Sequence, residues 1–115
     1  MFLNLPKVYP DVVLEMRVIR FRQDNLSYEF VSEVTLKDGS FICIRDYLFM
    51  DGNRKYSYHW QHRDGTLIAR WDNAPHWPDI STFPHHVHSG VNNHVSASNI
   101  RNLIDVMDEV KKLYI

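Results

Sequence analysis

Cysteine is nearly absent from this 115-residue chain: the only one, Cys43, lies in the apolar run from Phe41 to Ile44. A lone thiol excludes an internal disulfide and a CxxC redox pair, and among apolar neighbours it reads as a small buried hydrophobe in a reducing compartment. Long hydrophobic runs are missing too. No window approaches ~18 continuous apolar residues, and Met1 to Pro10 has too short an apolar run and too little positive charge for a signal peptide. The expectation is a cytoplasmic protein with no membrane partner. Neither sign of charge dominates: 13 Lys/Arg stand against 14 Asp/Glu, for a net charge of -1 and a pI near 6.6. No global positive field exists to hold nucleic acid, so any such contact must be local. Internal repeats and low-complexity segments are also lacking.

What the chain does have is alternation. Most of its first seventy residues alternate apolar and polar, broken by Asp-Gly pairs at Asp38-Gly39, Asp51-Gly52 and Asp64-Gly65, the mark of successive hairpins. Val12 to Arg22 alternates until Ile19 and Phe21 break phase, which calls for a twist or bulge near Ile19. Asp24-Asn25 makes the next turn, after which Tyr28, Phe30, Val34 and Leu36 share one face. Phe41 to Phe49 is apolar on both faces except at Arg45 and Asp46, as a central strand would be. Lys55 to His62 sets Tyr56, Tyr58, Trp60 and His62 opposite Ser57, His59 and Gln61, and Thr66 to Asp72 is the fifth strand. Near the end, Ser96 or Ser98 caps a helix whose Ile100, Leu103, Ile104, Met107 and Val110 recur at helical spacing. The 44% hydrophobic content suffices for one core at this length. The expected fold is α+β: one domain over 1–115, with a lead at 1–10, a five-stranded antiparallel meander at 12–72, a His/Pro-rich loop at 73–95 and a helix at 97–113 on one face of the sheet.

That loop is the chemical feature. Arg70 to His88, RWDNAPHWPDISTFPHHVH, holds four of the seven histidines with Pro75, Pro78 and Pro84. Histidine titrates nearest neutrality and ligates metals, and prolines restrict the loop, so a fixed chemical site is expected here. His86 and His88 are two apart, which in an extended segment puts both rings on one side, with His85 facing the other way. Two chemistries use such a set. In metal-free RNA cleavage one histidine takes the 2′-OH proton, a second supplies the leaving oxygen, and Arg70 or Arg45 stabilises the phosphorane. Alternatively, His86 and His88 with Asp72 or Asp79 hold zinc or another divalent ion. The spacing matches no named zinc motif. The bland readings are that loop histidines, His76 and His94 above all, hydrogen-bond carbonyls, that His59 and His62 pack on a strand or face solvent, and that Arg45 and Asp46 form an ion pair. Trp60 and Trp71 read as core, and Trp77 as a loop anchor or a base-stacking platform.

DGS at Asp38 to Ser40, YSYHWQ at Tyr56 to Gln61 and LIARWDNAPHWPDISTFPHHVH at Leu67 to His88 resemble the TumE-like toxins of prokaryotic toxin-antitoxin pairs, over roughly Asp38 to Val106. The resemblance implies a small cytoplasmic toxin silenced by a cognate antitoxin, with RNA or the translation machinery as target. Asp46, Tyr58, His59, Arg70, Asp72, Asn73, His76, His85 and His86 occupy the family's distinctive positions, and His88 is placed beside them.

The resulting expectation is the toxin of a type II pair acting as an endoribonuclease without a cofactor. Its catalytic residues would be His85, His86 and Arg70, then His59 and Asp46. Arg45, Tyr58, Asn73, His76, His88 and Trp77 would bind substrate. The alternative is a non-enzymatic binding module whose loop holds a partner, or a metal on His86, His88 and Asp72. A structural sheet domain with a satisfied histidine loop is the third reading. An edge strand, Val12 to Arg22 or the fifth, would pair with an antitoxin segment or with a second copy of the chain in a homodimer.

Overall fold

The computed structural model describes residues 4–113. A short helix α1 (Leu5–Val8) leads into seven strands: β1 (Val13–Asp24), β2 (Ser27–Leu36), β3 (Phe41–Leu48), β4 (Arg54–Gln61), β5 (Leu67–Asp72), β6 (His86–Ser89) and β7 (His94–Ala97). Helix α2 (Leu103–Leu113) follows. The strands form one antiparallel meander in chain order. The expected α+β class holds, but the sheet has seven strands rather than five. The two extra ones come out of the segment read as loop. Histidine in a proline-rich stretch gives no apolar alternation, yet His86, Val87, His88 and Ser89 do alternate faces once β5 offers an edge to pair with.

The three Asp-Gly turns share one device. In the first, the Leu36 N–H donates to the Ser40 carbonyl at 2.9 Å and Gly39 takes φ of 89°, a left-handed conformation that a Cβ disfavours. Asp38 then accepts the Ser40 N–H at 2.8 Å. Asp51 and Asp64 receive the N–H groups of Asn53 and Thr66 in the same way. Asn25 turns β1 into β2, also at positive φ, and the β1–β2 register shifts between Val18 and Arg20, where the phase break at Ile19 required it.

One face of the sheet is apolar. Phe30, Val34 and Leu36, Ile42 and Ile44, Tyr56, Tyr58 and Trp60, and Ala69 and Trp71 bury against Leu103, Val106, Met107 and Val110 of α2. Each such aliphatic side chain contributes about 1.5–3 kcal/mol by leaving water. The helix begins later than its apolar spacing suggested. Asn102, not Ser96 or Ser98, caps it by accepting the Asp105 N–H at 2.9 Å, and Val106 takes the inward place expected of Ile104. Ser98 has other partners: its N–H goes to Thr82 Oγ1 and its hydroxyl takes the Ile100 N–H. Tyr9 ties the N-terminal segment to α2 through a 2.9 Å bond to Asp108.

The opposite face is polar. Register puts Cys43 and Arg45, Ser57 and His59, Arg70 and Asp72, and His86 and His88 on it, strand by strand. The 73–85 segment folds over its β5–β6 end, where Trp77 packs its ring near both histidines.

Candidate functional site

The sequence-derived site residues fall into two groups that the sheet separates. On the apolar face Asp46 is buried. It accepts hydrogen bonds from Arg54 Nε and Nη2 at 3.0 and 2.8 Å, from Tyr58 Oη at 2.9 Å and from Tyr28 Oη at 3.1 Å. Arg54 also donates to the Arg101 carbonyl and lies over the Tyr56 ring, 4.8 Å from its centre. Burial is the largest single influence and works against the charge on Arg54, but the bonds to Asp46 and the Coulombic effects of Tyr58, Asp46 and Tyr28 together raise its pKa. Burial, reinforced by the Asp46 charge, pushes the Tyr58 phenol far up. Tyr56 stacks on Tyr58 and on His85, shares a 2.6 Å hydrogen bond with His85 Nδ1 and donates to the Ile100 carbonyl. Its phenol is pushed up to about 12, chiefly by burial. His85 is lowered, first by burial and then by Arg101 and Arg54.

Asp46, Tyr58 and the half-buried His85 therefore belong to a network between the sheet and the segment leading into α2. Arg45, next to Asp46, points to the other face, so the expected Arg45–Asp46 ion pair does not form and Arg54 takes its place. Arg54 escaped the sequence reading although a signal was present. Asp46 sits in phase with Ile42 and Ile44, where a lone carboxylate requires a cation, and Arg54 is in phase with Tyr56 and Tyr58 on the adjacent strand.

The polar face carries the second group. Asn73 continues the β5 edge beside β4, accepting the Tyr56 N–H at 3.0 Å and donating to the Arg54 carbonyl at 2.7 Å, so it fixes where the loop departs. His76 and Trp77 are exposed on that loop. Asp72 accepts the Ala74 N–H at 3.0 Å and Arg70 Nε at 3.2 Å, and lies 2.9 Å from His86 Nε2. The Nε2 atoms of His86 and His88 are 3.1 Å apart, so the two-residue spacing does bring both rings together while His85 turns away.

Beside this cluster runs an open cleft of about 400 Å³ lined by Arg45, Tyr47, Lys55, His59 and Arg70 among others, with no carboxylate among its described lining residues. His59 faces Cys43 on β3 and Arg70 on β5. Its pKa is lowered by partial burial and by the Arg70 charge, against a smaller opposing effect of Gln61. A larger cavity of about 770 Å³ lies on the other face, lined by Val18, Phe21, Phe30 and Leu103 with Asp46 and Arg54 at one side. Its lining is mostly apolar and its charges are already paired, which suits a docking side chain better than a phosphate.

These features define a small α+β protein built on one sheet, with a helix on one face and a basic, histidine-bearing cleft on the other. The chain matches the family described as Toxin TumE over residues 5–114, nearly its whole length, and belongs to that family. A toxin of this kind implies an antitoxin partner. Neither the curated proteins nor the solved structures contain a match to the chain. Among the described residues no helix is long and apolar enough to cross a membrane.

Proposed function

We propose that this chain is the toxin of a type II pair and that it cleaves RNA in the cleft on the polar face. The observation that supports this most is the concentration of Arg45, Lys55 and Arg70 around a half-buried His59 in a chain whose net charge is -1. That is the local positive site an RNA contact requires when no global field exists. In this reading His59, kept neutral by its surroundings, takes the 2′-OH proton as that oxygen attacks phosphorus. Arg45 and Arg70 hold the charge of the phosphorane, and water in the open cleft protonates the departing 5′ oxygen. Of the residues first expected to be catalytic, this reading keeps His59 and Arg70 and leaves out His85 and Asp46, which are engaged in the network with Arg54 and Tyr56, and His86, which faces Asp72 and His88.

The test is cleavage of a labelled mixed-sequence RNA by purified protein and by a folded His59→Gln variant. The expected loss is ~10²-fold or more. Because the His59 pKa is lowered, the base is already deprotonated near neutrality, and the acid limb of kcat/KM should have its midpoint below 6.5. Wild-type protein that leaves RNA intact, or a variant as active as wild type, refutes the reading.

For the antitoxin we propose the β1 edge as docking strand. β5, the other candidate strand, is internal, whereas β1 ends the sheet and has Val18, 53% exposed, at the mouth of the larger cavity. Val18→Asp should weaken antitoxin binding at least ~10-fold, about the 1.4 kcal/mol that one lost apolar contact represents, with little change in melting temperature. Unchanged affinity would remove β1 from the interface, and a chain that is dimeric alone through this edge would assign it to a second copy.

A further inference from the structure

We infer that Asp72, His86 and His88 form a binding site for one first-row divalent cation, with zinc as the best-suited ion. The inference does not depend on RNA cleavage. The three groups come from paired strand ends, Asp72 opposite His86 and Arg70 opposite His88, and all three side chains are buried. Their donor atoms converge: His86 Nε2 is 2.9 Å from Asp72 Oδ1, His88 Nε2 is 3.7 Å from Oδ2, and the two Nε2 atoms are 3.1 Å apart. Ligands at ~2.0–2.2 Å from a tetrahedral zinc stand roughly 3.3–3.5 Å from one another. The observed separations bracket that range, so little movement is needed to admit an ion.

The surroundings orient two of the three ligands, His86 and Asp72, as a metal site does. His86 Nδ1 lies 2.9 Å from the Pro84 carbonyl, which can only accept, so Nδ1 donates outward and Nε2 is the ring atom turned into the cluster. The Ala74 N–H and Arg70 Nε orient the Asp72 carboxylate. His88 Nδ1 is buried and makes no hydrogen bond of good geometry, its nearby side-chain partner being Asn93, while its Nε2 is the nitrogen turned into the cluster. Two imidazole nitrogens and a carboxylate converge on one point, which a cation can occupy. A single proton can bridge only two of the three donors, whereas a divalent ion engages all of them. Two nitrogens and one oxygen favour zinc over calcium or magnesium, which prefer oxygen cages. No fourth protein donor joins the group among the described residues, which leaves one coordination position for water. The ion would staple the end of β5 to β6 and pin the 73–85 segment, with Arg70 between it and the cleft.

The full-length protein, stripped with EDTA, is titrated with zinc by calorimetry and with cobalt(II) by visible absorption. One ion per chain and an intense cobalt band are expected. His88→Gln and Asp72→Asn should each lower affinity by ~100-fold or more, while His94→Gln, at an exposed histidine of β7, should bind as wild type. X-ray absorption of the zinc-loaded wild-type chain should give two imidazoles in the first shell, a readout that needs no variant to fold. Absence of stoichiometric binding, a proton being the occupant, would overturn the inference. So would binding that survives in both ligand variants, or any other imidazole count. Because every readout is binding or coordination, loss of RNA cleavage leaves the result unaffected.

Discussion

Arg54→Met is expected to destabilise the fold by about 3 kcal/mol, at the lower end of the range for breaking a buried ion pair from one side. The asymmetry of the pair sets the size. Asp46 has a side chain only 4% exposed, while Arg54 reaches the surface at 28%. Removing the guanidinium therefore strands a nearly buried carboxylate, with Tyr58 and Tyr28 left to donate to it. Those two bonds keep the cost below the upper end of about 5 kcal/mol. Arg54→Met together with Asp46→Leu should cost less than Arg54→Met alone, because no buried charge then remains. Urea denaturation checks both: the midpoint falls while the slope is conserved. A loss under about 1 kcal/mol for the single variant would mean that solvent reaches Asp46 and that the network is a surface feature.

Tyr56→Ala should be at least as damaging, about 3–5 kcal/mol, as for other buried aromatics cut to alanine. Its ring is packed between Tyr58 and His85 and beneath Arg54, and its hydroxyl reaches the Ile100 carbonyl just ahead of α2. One side chain thus joins β4, the end of the histidine segment and the approach to the helix. Tyr56→Phe keeps the ring and loses only the hydroxyl bonds, so about 1–2 kcal/mol is expected. Thermal unfolding separates the two variants, since each kcal/mol moves the midpoint by roughly 4 °C at this chain length. Equal shifts for both would mean that the hydroxyl bonds, rather than the packing, carry the contribution.

Period-2 alternation and three Asp-Gly pairs suffice to define the first five strands to within two residues at each end, because those signals are local. A strand's face is set by side-chain parity, and its turn by a glycine at positive φ beside an aspartate that accepts a following N–H. The same parity is enough to put His86 and His88 on one side and His85 on the other, and the apolar spacing of Leu103, Met107 and Val110 is enough to mark a C-terminal helix. Tertiary structure alone decided the rest. β6 and β7 exist because β5 presents an edge, and the four-residue strands His-Val-His-Ser and His-Val-Ser-Ala carry no pattern strong enough to be read without that partner. The helix starts at Leu103 because Asn102 meets the Asp105 N–H, a contact that Ser96 and Ser98 are too far upstream to make. Parity alone sends the neighbours Asp46 and Arg45 to opposite faces, but what each meets there is set by the adjoining strands. One is neutralised by Arg54 from the next strand, and the other is left to line the cleft with His59 and Arg70. Residue types and spacing determined which groups are available for chemistry. Which of them share a face, and which are occupied in holding the core together, depends on cross-strand register, a relation between segments that no single segment contains.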